Sequence, residues 1–158
     1  MKIGVISDTH RIERCIFKAL DTLNRENVDV LFHLGDNVSD AEIIEKNTSK
    51  PVFYIKGNCD FNVSAPSERI EVIENKKILM THGHLYNVKY TLNNLIYKGL
   101  EAEVDIVLFG HTHIGDIFFE QGIWFMNPGS AGMSRCGHNS VGVIEISNGQ
   151  INSKIVPL

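Results

Sequence analysis

The chain has 158 residues, 43% of them hydrophobic, a size that suits one domain able to bury about two-thirds of its unfolded surface without staples. Its formal charge of -4 argues against a broad basic surface for nucleic acid, though a local site can still attract an anion. The cysteines (Cys15, Cys59 and Cys136) are odd in number and lack a CxxC pair, which argues against a disulfide framework or a cysteine-built zinc site.

The elements alternate. KIGVIS (2 to 7) reads as a strand, and Ile12, Cys15, Ile16, Ala19, Leu20 and Leu23 then recur at helical steps. VDVLFHLG (28 to 35) is a second strand, and SDAEIIEKN a short helix opened by Ser39 with Glu42 three residues on as a capping box. PVFYIKG (51 to 57) completes a βαβαβ unit. After a polar loop, ERIEVIE and KKILMTH form a hairpin about Asn75, and a helix is expected from about Val88 to Leu100 with Leu92, Leu95, Ile96 and Leu100 on one face. The remainder is β: VDIVLFG, DIFFE, IWFMN, SVGVIEIS and INSKIVPL, with Gln121-Gly122 and Asn148-Gly149 as turns. Alternating βα units followed by antiparallel strands predict an α/β fold with two sheets, or one mixed sheet, covered by helices in a single domain over 1 to 158. No apolar run approaches the roughly 20 residues of a membrane span, and strand-like sequence from Lys2 leaves no space for a leader. The expected setting is the cytoplasm.

The residues after the apolar runs share one chemistry. Asp8 and His10 follow KIGVIS, Asp36 follows VLFHLG, Asn58 follows VFYIKG, His82 follows KILMT, and His111 and His113 follow DIVLFG. Ligands of open α/β sheets bind beyond the carboxyl ends of strands, so these seven groups can converge. Gly35, Gly57 and Gly110 precede three of the ligand stretches and permit sharp turns or close approach. Carboxylate, amide and imidazole together suit a divalent metal of borderline hardness such as manganese, iron, nickel or zinc. Seven ligands exceed the needs of one ion; two ions sharing a carboxylate, with Asp36 as the bridge, use them all.

Other chemistries lack their signatures. There is no GxSxG elbow, no GxxxxGK[ST] loop and no GxGxxG turn. A cysteine phosphatase requires Arg six residues after its Cys, where this chain has Asp21, Ala65 and Gly142.

DTH (8 to 10), GDN (35 to 37), GNCD (57 to 60), THGH (81 to 84), GHTH (110 to 113) and NPGS (127 to 130), in this order, resemble the motifs of the calcineurin-like metallophosphoesterases, in particular their small prokaryotic YfcE-like phosphodiesterases. The resemblance implies a four-layer αββα sandwich of two mixed sheets. It implies two divalent ions, manganese first among the candidates: one held by Asp8, His10, Asp36 and His113, the other by Asp36, Asn58, His82 and His111. It further implies hydrolysis of a small phosphodiester by a hydroxide that bridges the two metals, with Asn58 near a phosphoryl oxygen.

Cys59 stands where the wider superfamily has histidine, as it does in the YfcE-like branch. A thiol is a weak donor without positive charge, so leaving-group assistance falls either to Cys59 or to His84 of THGH. Arg135, just after NPGSAG, is the candidate for a substrate phosphate. His33 reads as a satisfied core histidine, Asp60 as a loop carboxylate, Arg11 as a cap of the first helix, and Asn127 and Ser130 as shapers of the NPGS turn. His138 reads as solvated. Two alternatives stay open: a phosphomonoesterase on the same site, and a non-catalytic scaffold like the retromer subunit of this fold. The chain is compatible with a homo-oligomer.

Overall fold

The computed structural model describes residues 1–135 and 137–158. Cys136 lies outside the described residues; Cys15 and Cys59 are free thiols. In chain order the elements are β1 (Lys2–Ile6), α1 (Glu13–Arg25), β2 (Val30–His33), α2 (Val38–Lys46), β3 (Val52–Tyr54), β4 (Glu68–Ile73), β5 (Lys76–Thr81), α3 (Asn93–Glu101), β6 (Ile106–Leu108), β7 (Gly115–Glu120), β8 (Ile123–Pro128), β9 (Ser140–Ser147) and β10 (Gln150–Pro157).

The strands form two five-stranded sheets, ordered β10-β9-β1-β2-β3 and β4-β5-β6-β8-β7. In the first, β1, β2 and β3 run parallel, and β9 pairs antiparallel with β1. In the second, β5, β6 and β8 are parallel, with β4 and β7 antiparallel at the edges. The C-terminal β segment is therefore not one antiparallel block. The tight turn at Gln121-Gly122 pairs β7 with β8, but β8 inserts beside β6 and leaves β7 at the edge.

Side-chain alternation divides each central strand between two cores. Ile3, Val5 and Phe32 meet Met80, Leu108 and Met126 between the sheets. On the outer face of the first sheet, Ile6 and Leu31 pack with Ile16, Ala19, Leu20 and Leu23 of α1 and Ile44 of α2. On the outer face of the second, Leu79, Val107 and Phe125 pack with Leu95 of α3. This four-layer arrangement is the expected αββα sandwich, and burial on both faces explains the unbroken apolar runs. No helix among the described residues is long and apolar enough to cross a membrane.

Two helix starts differ from the sequence reading. Ser39 lies inside α2 and forms no capping box: Asn37 occupies the N-cap at φ 83 without a side-chain cap bond. The cap comes from Asp60, whose carboxylate accepts the N–H groups of Val38 (2.7 Å) and Asn37 (3.2 Å). A carboxylate there satisfies orphan amides and complements the helix dipole. The third helix begins at Asn93 rather than Val88. His84–Tyr86 forms a 3-10 turn, Asn87 follows with φ 55, and Thr91 Oγ1 accepts the Asn93 N–H at 3.2 Å.

Candidate metal centre

The carboxyl ends of β1, β2, β3, β5 and β6 bring the candidate ligands to one place. Among the described residues, two groups present ligand atoms within 4.8 Å of one another: Asp8, His10 and His113, and Asp36, His82 and His111. Asn58 joins the second group, with its Oδ1 3.0 Å from His82 Nε2.

Local backbone sets these side chains. Asp8 (φ 54), His10 (51), Asp36 (54), His111 (70) and His113 (62) are all left-handed, a conformation that costs a non-glycine residue roughly 1–3 kcal/mol. Surrounding structure enforces it. Gly35 is itself left-handed at φ 92, whereas Gly57 and Gly110 serve close approach: a Cβ at Gly57 would collide with Asp36 Oδ1, and one at Gly110 with Ser7 Oγ.

Hydrogen bonds then aim the donor atoms. Asp8 Oδ2 accepts from Ser7 Oγ (2.6 Å) and from the His111 N–H (3.1 Å). Its other oxygen, Oδ1, is buried and accepts no hydrogen bond. Yet Oδ1 lies 3.2 Å from His113 Nε2 and 3.9 Å from the Nε2 atoms of His10 and His82. Burial pushes the Asp8 carboxyl up, but the histidines His113 and His82 together with Ser7 outweigh it and hold the pKa at about 2. The carboxylate is anionic at neutral pH.

The histidine tautomers point the same way. His82 Nδ1 lies 2.8 Å from the Leu34 carbonyl and His113 Nδ1 2.8 Å from that of Met133. A carbonyl only accepts, so both Nδ1 atoms carry protons and both Nε2 atoms face inward. There His82 Nε2 meets an amide oxygen, and His113 Nε2 meets His10 Nε2 at 3.1 Å. His82 Nε2 and the Asn58 oxygen are acceptor against acceptor, a pair that needs a cation or a proton between them. The neighbouring Asp8 carboxylate raises the His113 pKa, while burial, with His82 and Lys89 adding to it, lowers that of His111 to about 4. The donor set fits divalent ions.

The remaining predicted residues separate by role. Cys59 donates its backbone N–H to Asp36 Oδ1 (3.0 Å) and its thiol to Asp36 Oδ2 (3.3 Å). Burial and the Asp36 carboxylate push the thiol pKa up to about 11, so the sulfur stays protonated. His84 has a buried Nδ1 without a partner, and its ring lies 5.4 Å from that of His82 and 6.1 Å from that of His111. Burial, with His82 adding to it, lowers its pKa. Arg135 stands outside both ligand groups; its backbone N–H donates to the His113 carbonyl at 3.1 Å. Arg11 does not cap the first helix, whose N-cap is Ile12: its N–H meets Asp40 Oδ2 (2.8 Å) and its Nε meets Asn37 Oδ1 (3.0 Å), tying the DTH loop to α2. His33 is fully buried, 3.1 Å from Thr9 Oγ1 and accepting from the Gly35 N–H, outside both groups. His138 is exposed.

The contribution of NPGS exceeds its sequence reading. Asn127, fully buried, donates to the Gly110 carbonyl (3.0 Å) and to Thr112 Oγ1 (2.9 Å) and accepts the Gly129 N–H. It thereby holds the stretch that carries both His111 and His113. Ser130, also buried, donates to the Asp8 carbonyl (2.7 Å) and accepts N–H bonds from Gly132 and Met133. The sequence signal was the position of NPGS at the end of strand β8; nothing in spacing alone marks what it holds.

Comparison with known proteins agrees with this geometry. The profile of the calcineurin-like phosphoesterase superfamily domain matches residues 1–149. A phosphodiesterase of Methanocaldococcus jannaschii is 32% identical over 92% of this chain and 93% of its own length. The crystal structure of a predicted phosphoesterase from Streptococcus pneumoniae superposes with a TM-score of 0.84 at 29% identity, covering 99% of this chain and 88% of that one. Wild-type Vps29 of Entamoeba histolytica, solved in complex with zinc, gives a TM-score of 0.76 at 26% identity over 99% of each chain. With its two sheets, its candidate ligands at the strand ends and a match over nearly the whole length, the chain belongs to the calcineurin-like phosphoesterase superfamily.

Proposed function

We propose that this protein is a metal-dependent phosphodiesterase, and that Asp36 is shared by two divalent ions. Asp8, His10 and His113 complete one site, and Asn58, His82 and His111 the other. When bound, such a pair would lower the pKa of a coordinated water toward about 7 and set positive charge against the transferring phosphoryl group; manganese is the first candidate, with nickel, iron and zinc as alternatives.

The chain contributes orientation. Ser7 and the His111 N–H anchor one oxygen of Asp8 and leave the other free. The Leu34 and Met133 carbonyls fix the tautomers of His82 and His113. Because the Cys59 thiol is turned to Asp36 and stays protonated, its role is to hold that carboxylate. His84, whose ring stands 5.4 Å from that of His82 and 6.1 Å from that of His111, is the side chain assigned to the leaving-group oxygen. A small phosphodiester is the substrate class.

The observation that carries this reading is Asp8 Oδ1, a buried acceptor without a hydrogen bond among three imidazole nitrogens. The test is to strip the protein of metal, assay it on a chromogenic diester and monoester, and restore manganese, nickel, zinc or magnesium singly. Metal-restored turnover favouring the diester is expected; monoester preference would select the phosphatase alternative. The scaffold alternative has support in the likeness to Vps29. Since that structure is itself a zinc complex, metal binding cannot separate the two readings. Metal binding without turnover would make this chain a scaffold.

A further inference from the structure

A second concavity, enclosing about 290 Å³, opens beside the metal centre on the far side of the GHTH stretch. Its apolar lining comes from Val88, Leu92, Phe109 and Ile114. Val88 and Phe109 are buried, and Ile114 is 45% exposed. Lys89 and Arg135 also line it, and among the described residues neither pairs with a carboxylate. Asp116 lines it as well, as an acceptor.

The pocket is built onto the ligand loop. Thr112, which separates His111 from His113, is one of its walls, and Asn127, which holds Thr112, is another. Arg135 is tied to the His113 carbonyl through its own backbone. A substrate phosphate held by the ligand groups lies one loop away from an apolar slot.

We infer that this pocket takes the retained ester arm of the diester, and that the arm is an aromatic group of nucleoside size. The inference rests on the diesterase reading and adds the identity of the arm. Three features select it. A flat ring buries its faces on Leu92 and Ile114; a ring N–H finds an acceptor in Asp116; and the two cations attract the phosphate that the arm carries. At about 290 Å³ the slot lies at the lower end of the roughly 300–1,000 Å³ of small-molecule sites, which suits one nucleoside and is too small for an oligonucleotide.

The experiment compares thymidine 5'-(4-nitrophenyl) phosphate with methyl 4-nitrophenyl phosphate on the manganese-loaded protein. Both release the same nitrophenol, so the ratio of kcat/KM reads the retained arm. A preference of at least about 10-fold for the thymidine ester is expected, carried mainly by KM, and Ile114→Glu should bring the ratio toward one. Saturation-transfer NMR with thymidine 5'-phosphate and metal-stripped protein supplies a readout without turnover: transfer to the thymine protons is expected, and Ile114→Glu should remove it. Equal kcat/KM for the two diesters, with no transfer to thymine, overturns the pocket and leaves the diesterase standing. Absence of metal-dependent turnover on either diester removes the diesterase reading and this inference with it.

Discussion

The Nε2 atoms of His10 and His113 face one another across 3.1 Å, although 103 residues separate them in the chain. His111, two residues from His113, belongs instead with Asp36 and His82. Each histidine of GHTH thus has its own partners. His113→Ala should weaken one ion and His111→Ala the other, each with turnover falling at least about 100-fold. Metal stoichiometry measured by calorimetry on each variant checks this. Loss of the same single ion in both variants would refute the division.

Asn127 acts at one remove from the metal. Its amide bonds to Gly110 and Thr112 together, so Asn127→Ala frees the whole ligand loop and leaves the buried Gly129 N–H without its acceptor. Metal affinity should fall about 10–100-fold, as it does when groups supporting metal ligands are lost. Stability should fall by about 1–3 kcal/mol. Titration with manganese and urea unfolding of the metal-free protein measure the two effects separately. An Asn127→Ala protein of wild-type metal affinity would show that the loop holds itself.

Cys59 offers a contrast between two substitutions. Cys59→Ser keeps a donor for Asp36 and should retain both ions. Cys59→His places an imidazole beside the phosphate and should raise the ratio of monoester to diester turnover. Rates on paired nitrophenyl substrates, with metal content measured in parallel, decide the matter. An unchanged ratio in a fully metal-loaded Cys59→His protein would remove any link between this position and substrate class.

His33 predicts a dependence of stability on pH. Complete burial lowers its pKa from 6.5 to about 4, against smaller opposing effects of Asp40, Asp8 and Asp60. The unfolded chain therefore takes up a proton at His33 before the folded protein does. Stability from this group is present above pH 6.5, is lost as pH falls, and the loss is complete below about 4. It amounts to at most about 3 kcal/mol. Urea unfolding with chelator present, from pH 7.5 down to 4.5, should show a shallower decline for His33→Gln than for wild type. Parallel pH curves would assign the wild-type decline to other groups.

Gly110 tests close approach. A methyl group there would meet Ser7 Oγ and Asp8 Oδ2 (2.8 Å), the pair that anchors the first ligand. Gly110→Ala should cost about 1–3 kcal/mol through overpacking and weaken metal binding at Asp8. Thermal unfolding and metal titration of the variant provide the check; wild-type values in both would mean that the loop shifts without consequence.

The strands and the convergence of the candidate ligands were legible in the sequence because both follow from local pattern. Apolar runs announce buried strands, and Asp8, His10, Asp36, Asn58, His82, His111 and His113 stand directly after them. Turns such as Gln121-Gly122 were equally readable. Local pattern could not reveal features that depend on distant segments. The cap of α2 is Asp60, from a loop 22 residues on, and the Ser39 box that sequence suggested does not form. The place of β8 beside β6 depends on which strand the second sheet accepts. Only packing decided which oxygen of Asp8 is anchored and which is left free, since that choice depends on Ser7 and on an amide 103 residues away. The chain alone thus specifies which groups meet, through hydrophobic period and turn chemistry. Their aim is fixed by hydrogen bonds that exist only once the two sheets have stacked.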